Sequence, residues 1–115
     1  MGDRVSIQYG SHREDGTEQL SAVLKHHWGG PEFAFDALEF ARIGIESMSD
    51  NKISTPLSRG EPSAVMVSLV GQLVSEYNAR QREHSLRLVP TPNDCDNSDN
   101  GHFIVWLDTM KVERR

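Results

Sequence analysis

The chain has 115 residues, 12 Lys and Arg against 17 Asp and Glu for a formal charge of −5, 37% hydrophobic residues and a single cysteine. That length lies in the usual range of roughly 100–150 residues for one domain, so residues 1–115 are expected to form a single core. A lone Cys95 excludes an intramolecular disulfide and a cysteine-based zinc site, no apolar run reaches the roughly 18 residues that cross a bilayer, and the first residues lack a signal-peptide layout, so the cytoplasm is the expected compartment, without a membrane partner.

Arg4–Tyr9 alternates polar and apolar residues with Val5, Ile7 and Tyr9 on one side, which predicts a half-buried strand. The polar stretch at 10–19 reads as a connection. Leu20–Trp28 alternates again, with Leu20, Ala22, Leu24, His26 and Trp28 on one face, so the two strands are expected to form a hairpin with a long tip. Gly29-Gly30-Pro31 then opens a helix whose apolar stripe runs through Ala34, Leu38, Ala41, Ile45 and Met48. Residues 49–60 read as a loop, and Pro62 starts a second, antiparallel helix carrying Met66, Leu69, Val70, Leu73 and Tyr77. Ser85–Val89 is β-compatible, Pro90–Gly101 is a polar loop, and Phe103–Leu107 reads as a strand covered on both faces. The order β-β-α-α-β-β predicts an α+β two-layer domain, an antiparallel four-stranded sheet with two helices on one face. Ile104 and Trp106 then face away from the helices, and a second copy of the protein, as a homodimer, is expected to cover them.

Three groups of residues carry candidate chemistry. The first is His26, His27, Trp28, Gly29 and Gly30 at a strand-to-helix turn: free amides at a helix start and a glycine pair suit a phosphate or carboxylate, Trp28 could stack on a ring, and either histidine could donate to the anion. The bland account is that the glycines turn the chain and Trp28 packs in the core. The second is the oxygen-rich loop, where Asp96, Ser98, Asp99 and Asn100 resemble part of a cation site. The glutamate that closes a helix-loop-helix calcium loop is replaced by Leu107, and Asp and Asn build turns on their own account, so no metal is assigned. The third is the basic set Arg80, Arg82, His84 and Arg87, which meets Lys111, Arg114 and Arg115 if the last two strands pair.

No catalytic set is found. Neighbouring carboxylates are expected to raise the Cys95 thiol pKa, and no nucleophile elbow, His-Glu-x-x-His pair or Cys-x-x-Cys pair occurs. The stretches His27-Trp28-Gly29-Gly30-Pro31 with Phe33, and Asp96–His102, resemble those of small uncharacterised proteins of viral, prophage or plasmid origin. That resemblance implies an accessory or anti-defence role and transfers no activity. The expectation is therefore a non-catalytic, homo-oligomeric binding or interaction protein with no cofactor, whose partner is another protein or an anionic small molecule. The alternative is a small nucleotide- or phosphate-binding protein or enzyme that uses the His26–Gly30 turn. Direct nucleic-acid binding is disfavoured by the negative balance, and an acidic decoy for a nucleic-acid-binding protein is a third idea.

Overall fold

A computed structural model describes residues 2–50 and 61–115. Its elements are β1 (Val5–His12), β2 (Glu18–Leu20), β3 (Val23–His26), α1 (Phe33–Asp50), α2 (Pro62–Ala79), β4 (Leu86–Val89), β5 (His102–Trp106) and β6 (Lys111–Arg114). Most of the loop expected over 49–60 lies outside the described residues.

The α+β class holds, and the sheet differs from expectation in three ways. Among the described residues it has six strands rather than four, in the order β4-β3-β1-β5-β6 with β2 also paired to β1. It is mixed rather than antiparallel, because β1 and β5 run parallel, Ser6 opposite His102 and Gly10 opposite Trp106. And β6, which follows a turn containing Met110 at φ 53°, carries one apolar residue, too few for an alternating pattern. The parallel pair arises because the chain places β4 on the outer edge of β3 and then uses the polar loop to reach the far side of β1. The last two expected strands therefore never pair.

β2 and β3 are one strand interrupted by a bulge. Gly10 stands opposite Leu20 while Ile7 stands opposite Leu24, a slip of one residue that moves Leu20 to the face away from the helices and leaves Leu24 on the helix face. Ser21 holds the bulge, its N–H donating to Tyr9 O at 2.9 Å and its Oγ accepting from Tyr9 N at 3.0 Å. The hairpin tip is correspondingly short, Arg13–Thr17, closed by Asp15 accepting from the Thr17 amide and hydroxyl.

The core lies between the sheet and the two helices. Val5, Ile7, Tyr9, Leu24 and Val105 from the strands meet Phe33, Ala34, Ala37 and Ala41 of α1 and Val65, Met66 and Leu69 of α2. The small residues of α1 let its backbone approach the sheet, and the Tyr9 hydroxyl donates to Ala37 O at 2.7 Å. Pro62 opens α2 as expected, with Glu61 accepting from the Ser63 and Ala64 amides as N-cap.

The opposite face of the sheet is closed within the chain. Ser6, Gln8, His102, Ile104 and Trp106 are all buried. His12 stacks on Trp106 at 4.4 Å between ring centres, and Arg115 lies over the same ring while pairing with Glu18 and Glu113. Burial of Ile104 and Trp106 without a second copy removes the reason for expecting one on this face.

Candidate functional site

Two polar assemblies occupy the face away from the helices. The first is sealed. Gln8 Nε2 donates to Ser21 O at 2.9 Å, which leaves Gln8 Oε1 to accept from His102 Nε2–H at 2.9 Å. His102 Nδ1 must then accept from the Ser6 hydroxyl at 2.7 Å, and Ser6 Oγ in turn accepts from Asn97 Nδ2 at 2.8 Å. Each of these named atoms has a partner, and burial pushes the His102 imidazole down to about 4, with the Arg115 charge acting the same way, so it is neutral at ordinary pH. A hydroxyl beside an imidazole is the start of nucleophilic chemistry, but Ser6 and His102 are 0% and 4% exposed and saturated by their neighbours. Burial likewise raises the Cys95 thiol, more than its neighbours Asp94 and Asp96 do.

The oxygen-rich loop belongs to the same assembly. Arg4 pairs with Asp96 and with Asp99, its Nε donating to Asp99 Oδ2 at 2.8 Å and its amide to the same oxygen at 2.9 Å. These bonds hold the Asp99 carboxyl down at about 2. Asp96 also accepts from the Ser98 amide, and Asn100 donates to Arg4 O through its amide N–H and its side chain. The residues weighed as a cation site thus face a guanidinium. Among the described residues, no three His, Cys, Asp or Glu side chains are gathered to hold a metal.

The second assembly is open. In the β3–β4 pair Lys25 stands directly opposite Arg87. With His27, His84, Ser85, Trp28 and Glu83 these two cations line a hollow of about 420 Å³. Lys25 Nζ reaches His27 Nδ1 at 3.4 Å, but among the described residues neither Lys25 nor Arg87 has a carboxylate within ion-pair distance. Ser85 Oγ is buried without a hydrogen-bond partner. The strand pairing thus joins His27 and Trp28 of the first candidate group to His84 and Arg87 of the third. Lys111, Arg114 and Arg115 lie at the other edge of the sheet with β6.

The remaining turn residues separate. His26 and His27 point to opposite sides of the chain, as alternation predicts. His26 is buried on the helix side, edge-on to Phe33 at 4.8 Å, and burial followed by the nearby Lys25 and His27 charges pushes it down to about 4. The Gly29 and Gly30 amides donate to His26 O and Asp3 O, so neither is free for an anion. Gly29 packs where a Cβ would fall 2.6 Å from Val5 Cγ1, and Gly30 adopts φ 76°, so both residues are required by the turn itself. Trp28, by contrast, is 56% exposed rather than packed in the core. It also borders a groove of about 310 Å³ between α1 and α2, walled by His26, Phe33, Phe40, Leu73 and Tyr77 and edged by Asp36, Gln72, Glu76 and Arg80.

The sequence alone gives no role to Lys25, which adjoins the first candidate group and gains significance only from Arg87 facing it, or to Ser85. Among the described residues no helix is long and apolar enough to cross a membrane. Comparison with family models, curated proteins and solved structures finds no match to this chain.

Proposed function

We propose that this protein is a non-catalytic binding protein for a phosphate-bearing small molecule, held in the cleft over the paired strands β3 and β4. The observation that carries the reading is the Lys25–Arg87 pair. Like charges directly opposite on adjacent strands repel, and here no carboxylate of the described chain neutralises either one. An incoming anion relieves that repulsion. Arg87 supplies a planar fork suited to two phosphate oxygens and Lys25 a mobile point charge. The Ser85 hydroxyl adds a hydrogen-bond donor that has no protein acceptor. Glu83 at the rim limits the field without closing the cleft. The burial of Ser6 and His102 and the raised Cys95 thiol favour binding over nucleophilic turnover.

Thermal denaturation tests this. Millimolar inorganic phosphate is expected to raise the melting temperature of the natural protein, since a ligand that binds only the folded state stabilises it. A Lys25→Ala, Arg87→Ala double variant should melt normally and lose that shift. An equal shift in both proteins contradicts the reading.

A further inference from the structure

The cationic cleft does not end at Trp28. This exposed ring lines both the cleft and the groove between the helices, so one side chain is common to the two hollows. On the cleft side Trp28 meets His27 edge-on at 4.6 Å. On the groove side His26 stands edge-on to Phe33 at 4.8 Å and to Tyr77 at 6.1 Å, giving a series of ring faces and edges suited to a flat ring. At about 310 and 420 Å³ each hollow is near the lower end of small-molecule sites, which span roughly 300–1,000 Å³. One hollow suits an anion and the other an uncharged ring.

We infer that the ligand is a mononucleotide whose phosphate lies between Lys25 and Arg87 and whose base turns past Trp28 into the groove between α1 and α2. This rests on the cleft reading above and names its ligand class. The groove edge adds a preference among bases. Asp36, in the first turn of α1, is exposed and meets no hydrogen-bond donor among the described residues. Glu76 is already engaged by Gln72 Nε2 at 3.1 Å. A free carboxylate accepts well from two adjacent N–H groups, which guanine presents on its Watson–Crick edge and uracil does not. Guanine is therefore the favoured base.

Isothermal titration calorimetry with GMP, UMP, guanosine and inorganic phosphate tests the inference. GMP is expected to bind about tenfold or more tightly than guanosine or phosphate alone, in line with the usual contribution of one stacked base. Trp28→Ala should lower GMP affinity by about the same factor and inorganic phosphate affinity by much less. Asp36→Asn should bring GMP down to the level of UMP. Both substituted side chains are exposed, so circular dichroism should report native folding. GMP binding no tighter than phosphate overturns the inference and leaves the cleft reading standing. No binding of either ligand to the folded protein overturns both. A single-stranded oligonucleotide that binds more tightly than GMP overturns the assignment to a mononucleotide.

Discussion

The sheet face away from the helices carries two clusters of similar chemistry and opposite condition. Around the start of β1, Arg4 meets Asp96 and Asp99, and Ser6, Gln8, Asn97 and His102 are linked in one run of hydrogen bonds. Around β3 and β4, Lys25 and Arg87 face one another without a carboxylate, and Ser85 Oγ has no partner. The first arrangement uses polar groups to fix the loop that brings β5 beside β1. The second leaves them available. Polarity and position on the sheet are shared, so the completeness of the partnering is what separates scaffold from binding site.

The largest expected effect is at the sealed cluster. His102→Ala removes a buried ring and strands both Ser6 and Gln8, and should lower stability by about 2–4 kcal/mol, measured by urea denaturation. A loss below about 0.5 kcal/mol, the usual range for surface substitutions, would mean that the network contributes little.

Next comes acid sensitivity. His26 and His102 are held down at about 4 against an ordinary 6.5, so the unfolded chain takes up protons that the folded one refuses. Their contribution to stability is complete above about pH 6.5 and is lost as the pH falls toward 4. Asp99, held at about 2 against 3.8, adds a second loss at lower pH. In His102→Gln the slope of stability against pH between 6.5 and 4 should shrink by up to one proton. An unchanged slope would show that His102 does not titrate differently in the two states.

The smallest effect belongs to the open cluster. Lys25→Gln and Arg87→Gln should each leave stability within about 0.5 kcal/mol of the natural protein, because neither charge has a carboxylate partner to lose. A large loss would reveal a structural contact and place this pair with the sealed cluster.

Helices and central strands were legible because their periods are strong: Val5, Ile7 and Tyr9 alternate, and Ala34, Leu38 and Ala41 recur at helical spacing. The parallel β1–β5 pair was not, since alternation gives a strand and its faces but not its neighbour. The bulge at Ser21 and Ala22 moved Leu20 to the opposite face, something a simple period cannot anticipate. Asp96 and Asp99 read as turn formers or cation ligands because Arg4, their partner, lies more than ninety positions away. The candidate site was legible in pieces: His27 and Trp28 stood in one group, His84 and Arg87 in another, and only the β3–β4 register brings them together with Lys25.

The central claim is that the open cluster takes an anion and the sealed one does not. Mapping amide and side-chain NMR shifts during a titration with inorganic phosphate tests it most directly. Saturable shifts centred on Lys25, His27, Trp28, Ser85 and Arg87, with Arg4, Ser6, Asp99 and His102 unmoved, are the predicted result. Shifts centred on Arg4 and the Asp96–Asp99 loop, or none at the β3–β4 cleft, would contradict it.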